Sequence, residues 1–154
     1  MKMNILTIAA IAGLAISCNN DSTKTNDAEK TNVEKIDTSN EMQCYADTTK
    51  NKVFLHLNLK DNNVTGSLDY QIAGKDQNKG SLQGEMKGDT LIADYNFMSE
   101  GTQSIRQVIF LKKDNTLVEG YGDVEEKNGK MIFKNPAKAN FGNGIVLQKM
   151  ECKL

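Results

Sequence analysis

Histidine and arginine each occur once in this chain of 154 residues, as His56 and Arg106; proline occurs once and tryptophan is absent. A Ser or Cys nucleophile needs a histidine base oriented by an acid, but the one histidine falls on the polar face of a predicted strand, and no GxSxG elbow is present. Nor can one histidine complete a zinc site, which needs three or four N/S ligands. No Gly-rich loop follows a strand and opens a helix, so a phosphate cradle is excluded. The formal net charge of -1 leaves no basic stripe for nucleic acid. No segment keeps helical periodicity over three turns. EF-hand spacing is missing, so Asp61-Asn62-Asn63 reads as an ordinary turn, and neither metal nor cofactor is expected. A pair of catalytic carboxylates remains open, since any two acids can meet in space.

What the chain has first is an address. Lys2 supplies a positive n-region, and Ile5 to Ile16 is an uncharged apolar run. That run is shorter than the roughly 20 residues needed to span a bilayer. It ends in Ala15-Ile16-Ser17-Cys18, which resembles the lipobox of bacterial lipoproteins, with Ala15 where that family usually has Leu. The resemblance implies a signal peptide over residues 1–17 and a lipidated Cys18 at the mature N-terminus. A buried helix with a chance cysteine is the competing reading, and the run has no polar face for it. Each buried acyl methylene would add about 0.8 kcal/mol of membrane affinity. Residues 19–41 hold almost no large apolar side chain except Val33 and Ile36, and residues 18–42 read as a disordered tether. Asn19 after the cysteine resembles the outer-membrane choice of such lipoproteins, and Asp21 resembles a surface-export signal or is part of a solvated spacer. The expected location is the cell envelope, lipid-anchored, at the outer membrane.

Cys44 and Cys152 are an even pair near the two ends of the remaining chain. Beyond the inner membrane the compartment is oxidising, so a disulfide is the default expectation. Closing so long a loop stabilises by about 4–5 kcal/mol in chain-entropy models. Two buried free thiols are the alternative.

Between them the sequence alternates with a period of two. Gln43–Asp47 reads as a short strand. Val53, Leu55, Leu57 and Leu59 alternate with Phe54, His56 and Asn58, which puts His56 on a wet face. Val64 to Ile72 forms the hairpin partner across the Asp61–Asn63 turn. The polar loop from Gly74 to Lys79 leads to a weaker strand, Gly80–Lys87, whose inward glycines mark a bend or a close approach. Gly88-Asp89 turns the chain into Thr90–Met98, with Leu91, Ala93, Tyr95 and Phe97 on one face. Glu100-Gly101 breaks it before Gln103–Lys112. There the alternation is ambiguous, because Val108/Phe110 and Ile105/Ile109/Leu111 are apolar on opposite faces. Thr116–Val124, Lys130–Lys134 and Ile145–Cys152 complete eight or nine strands. The expected fold over residues 43–154 is all-β: an antiparallel up-and-down meander closed into a small barrel, since closure removes exposed edges. A β-sandwich is the second choice.

Val64-Thr65-Gly66, Lys75-Asp76, Gly84, Gly88-Asp89-Thr90-Leu91, Ser99-Glu100-Gly101, Ser104, Arg106 and Glu119-Gly120 carry a resemblance to small lipoproteins of Bacteroidota-type bacteria, over Cys44 to Cys152. The resemblance implies a lipocalin-like barrel and no more.

Arg106 is the sharpest single residue. If Val108 and Phe110 face inward, so do Ser104 and Arg106. An inward guanidinium must be paired, or burial would cost several kcal/mol; Glu119 and Glu100 are the expected partners. Such a pair would fix the barrel register. The alternative is an Arg at the barrel mouth receiving a ligand carboxylate or phosphate, with Ser104, Tyr70, Tyr95 or Tyr121 nearby. The chain is therefore expected to be a non-enzymatic, monomeric lipoprotein that binds a small apolar or anionic ligand, or an envelope protein. A filled structural barrel comes second and a hydrolase last.

Overall fold

The computed structural model describes residues 40–49 and 51–152. The expected signal peptide, Cys18 and all but the last residues of the expected tether lie outside them. Ten strands follow in order: β1 Glu41–Asp47, β2 Lys52–Lys60, β3 Asn63–Gln71, β4 Asn78–Lys87, β5 Thr90–Ser99, β6 Thr102–Lys113, β7 Thr116–Gly120, β8 Val124–Lys127, β9 Lys130–Phe133 and β10 Val146–Met150. A short 3-10 turn, Pro136–Lys138, holds the one proline.

Eight of the strands close on themselves as an antiparallel barrel, in the order β5-β4-β3-β2-β1-β10-β7-β6 with β6 returning to β5. Strands β1 to β7 are a plain meander, and β10 slots between β1 and β7 to close the wall. The hairpin β8–β9 stands outside the ring and touches it through a parallel pairing of Met131 with Arg106 on β6.

The tight turns follow from their residues. Glu100-Gly101 and Asn128-Gly129 each place both loop residues at positive φ (50° and 78°, 55° and 75°), the geometry whose twist matches two antiparallel strands. Gly88 does the same alone, at φ 60°. The inward glycines allow the wall to bend: a Cβ on Gly80 would lie 2.0 Å from the Asn96 carbonyl oxygen, and one on Gly66 would lie 1.9 Å from that of His56.

At eight strands a barrel is just wide enough for side chains to fill it, and they do. Tyr45, Leu55, Leu57, Leu68, Leu91, Phe110, Leu117 and Leu147 are all within 2% of full burial. On β6 the ambiguity resolves with Ser104, Arg106, Val108 and Phe110 inside. Ile109 points out but is still buried, because Phe141 packs beside it over Gly120. His56 is exposed, as its alternation predicts.

Cys44 and Cys152 form a disulfide across a sequence separation of 108 residues, with their Cα atoms 5.2 Å apart. Some strands differ from expectation: β4 begins at Asn78, inside the expected polar loop, and Val124–Lys127 is a strand of its own. Thr116–Val124 is not continuous: β7 stops at Gly120, and Tyr121 leaves the wall to bridge Asn140. Phe141 and Ile109 occupy the space over Gly120 that a side chain there would need.

Candidate functional site

The barrel has unlike ends. At one, the loops between β2 and β3, β4 and β5, and β6 and β7 are tight turns. At the other lie the 72–77 loop and the long excursion from Tyr121 to Ile145. Polar side chains gather inside this second end, the mouth.

Arg106 sits there on β6, opposite Tyr95 of β5. Its guanidinium carbon lies 5.3 Å from the Tyr70 ring centroid, 5.4 Å from Phe97 and 5.6 Å from Tyr95. The rings brace one another: Tyr95 stacks on Phe97 at 4.7 Å and meets Tyr70 edge-on at 5.9 Å. The strand pattern produces this cage, because inward positions on β3, β5 and β6 fall at one level of the barrel. Cation–π contacts contribute about 0.5–2 kcal/mol, more when dry.

Glu119 projects from β7 to the same level and is 6% exposed. One carboxylate oxygen accepts from the Tyr70 hydroxyl at 2.6 Å, and the other from the Tyr121 hydroxyl at 3.0 Å. Burial pushes the Glu119 carboxyl up from its ordinary value, against the opposing pull of those two hydroxyls and of Arg106. Burial, and secondarily Glu119, pushes Tyr70 and Tyr121 upward; burial does the same to Tyr95, partly offset by Arg106. These phenols are therefore neutral donors at physiological pH rather than bases. Glu119 is also the one buried carboxylate among the described residues.

The expected Arg106–Glu119 ion pair is not formed. The ion pairs within 4.0 Å among the described residues are Lys87–Glu85 and Lys130–Asp94, both on the surface. Aromatic faces meet the guanidinium, and tyrosine hydroxyls have taken both oxygens of Glu119. Glu100 is not brought to the mouth interior at all: it occupies the exposed β5–β6 turn at φ 50°.

Two cavities meet at this level. One, about 250 Å³, is lined by Tyr70, Asn78, Arg106, Glu119 and Tyr121, with exposed Lys75 and Asp76 at its rim. The other, about 410 Å³, is lined by Phe97, Ser104, Arg106 and Val108 inside the wall and by Val124, Met131 and Phe133 beyond it. Among the described residues, two buried side-chain polar atoms have no hydrogen-bond partner, Arg106 Nε and Asn78 Oδ1. Both belong to residues lining the smaller cavity. The backbone carbonyl of Asn78 accepts from Tyr95 at 2.8 Å, which ties this residue to the aromatic cage.

Ser104, Arg106, Glu119 and Tyr95 thus fall at one level, as do Tyr70 and Tyr121. Sequence reasoning missed Asn78, which sits at the start of β4 in what reads as a polar loop. No local signal marks it; only its pairing with Tyr70 brings it inside.

Fold and site together define a small, closed antiparallel β-barrel with a filled body and a polar, aromatic-lined mouth. No protein-family model, curated protein or solved structure matches the chain.

Proposed function

We propose that the protein is a lipid-anchored envelope lipoprotein whose barrel mouth binds a small polar ligand without transforming it. One observation carries the binding reading: an unpartnered donor, Arg106 Nε, and an unpartnered acceptor, Asn78 Oδ1, border the same cavity. Leaving such groups unsatisfied costs about 1–3 kcal/mol each, and a ligand offering both an acceptor and a donor recovers that cost. The charges around the cavity balance, Lys75 and Arg106 against Asp76 and Glu119. This favours a neutral or zwitterionic head over the simple anion that an isolated arginine would suggest.

The envelope reading rests on the lipobox-like Ala15-Ile16-Ser17-Cys18 and is supported by the Cys44–Cys152 disulfide, which suits an oxidising compartment. Glu41 begins β1 at the end with the tight turns.

A second reading, a structural barrel without a ligand, is favoured by the dense packing of the barrel body. Native mass spectrometry of the full protein, purified from its own membrane, separates the two. The binding reading expects a small-molecule adduct on wild type that is lost in folded Arg106→Met and Asn78→Leu variants. Wild type with no adduct, or an adduct that both variants retain, would favour the filled barrel.

A further inference from the structure

The gap in the barrel wall lies beside the site. The β6–β7 ladder ends at Ile109 and Gly120. From Thr102 to Val108, β6 has no β7 beside it and meets only Met131 of the external hairpin, at Arg106. The 410 Å³ cavity occupies this gap and runs from Phe97 and Val108 inside the wall to Val124, Met131 and Phe133 outside. Its lining is mostly apolar, whereas the 250 Å³ cavity is lined by tyrosines, Asn78 and Glu119. The two share Arg106, Glu119 and Tyr121, so a single molecule can occupy both. Val124 and Met131 are 43% and 41% exposed, a large share for apolar side chains on adjacent strands of one hairpin. The hairpin is held in place by the Lys130–Asp94 ion pair and by the Phe133 N–H donating to Gln107 Oε1 at 3.1 Å. It is therefore a fixed outer wall to the gap.

We infer that the ligand is an amphiphile: its neutral polar head lies between Arg106 and Asn78, and its short apolar tail passes through the wall gap beneath the β8–β9 hairpin. The inference rests on the binding reading above and adds the tail and its path. A head with a carbonyl and an N–H meets both orphaned atoms. The tail covers Val124 and Met131, which otherwise face water.

N-acylglycinamides of increasing chain length, from acetyl to butyryl to hexanoyl, test it by NMR titration of the full chain. The acetyl compound probes the head alone and is expected to shift the Asn78 side-chain amide and the Arg106 Nε–H. Each added methylene should then tighten binding about threefold to fourfold until the gap is filled. Val124→Asp and Met131→Asp should abolish that gain and leave acetyl binding unchanged; both sites are exposed enough for the fold to tolerate them. Acetyl binding with no gain along the series would overturn the tail and leave the binding reading standing. A gain that neither Asp variant reduces would overturn the proposed path. No shift at Asn78 or Arg106 with any member would overturn the binding reading and the inference together.

Discussion

Reducing the Cys44–Cys152 disulfide changes no side-chain packing in the barrel, yet it should cost a large part of the domain's stability. The bond joins residues 108 apart. In the chain-entropy relation, a loop of that length removes about 16 cal/mol/K from the unfolded ensemble, about 4.8 kcal/mol at 25 °C. Typical domains are stable by about 5–15 kcal/mol, so the reduced barrel should be folded but marginal. The assay is urea unfolding of the same protein, oxidised and reduced. With a slope near 2 kcal/mol/M, the midpoint should fall by roughly 2 M on reduction. The slope itself should rise, because the released chain exposes more surface when unfolded. Cys44 is 1% exposed and lies opposite Met150 of β10, so native strand pairing holds the thiols together after reduction and the effect falls on the unfolded state. A stability loss below about 1 kcal/mol, with an unchanged slope, would refute the loop-closure reasoning.

Three further outcomes follow from the mouth and the wall. Burial raises the Glu119 carboxyl, so its contribution favours the folded state below the ordinary glutamate range and is lost as pH rises through the elevated value. Relative to Glu119→Gln, wild type should lose stability from mildly acid towards neutral pH; parallel pH–stability curves for the two proteins would contradict this. Tyr70→Phe removes a 2.6 Å donor from Glu119 and should cost about 1.5–3 kcal/mol by thermal unfolding, whereas Tyr121→Phe, at a half-exposed site, should cost less. Gly66→Val forces a Cβ to within 1.9 Å of the His56 carbonyl oxygen and should prevent folding as judged by circular dichroism, while the same change at Gly74, with open space around its Cβ position, should cost only the strain of its positive φ.

The barrel was legible because most of its strands have one face dry and one wet. Val53, Leu55 and Leu57 alternate cleanly with Phe54, His56 and Asn58, and the structure follows them residue by residue. Legibility fails where the outer face is also covered. Ile109 looks inward by composition but is buried from outside by the Phe141 segment, a cover that no periodicity announces. The same segment lies over Gly120, the last residue of β7. At the site, an ambiguous alternation put Arg106 inside only if Val108 and Phe110 were inside with it, and its partners were misjudged. A charged neighbour in sequence-adjacent strands looked sufficient, yet aromatic faces from β3 and β5 reach the guanidinium instead. The Tyr70–Glu119 contact spans 49 residues and depends on barrel closure, so it cannot be read locally. Asn78 is hidden for a nearer reason: it sits in a polar stretch, and its hairpin pairing with Tyr70 is what brings it to the mouth.

The place of β10 has a consequence for the protein's manufacture. Seven strands can add one after another as hairpins while the chain emerges, but the wall between β1 and β7 stays open until residues 146–150 arrive. Until then, two bare edges are available to any other nascent copy. The same late strand carries the chain on to Cys152, so the ring is sealed by oxidation only once it has shut. A copy caught before the ring shuts offers its neighbours the open edges of β1 and β7 as a template for strand exchange; one caught after it has both edges covered by β10.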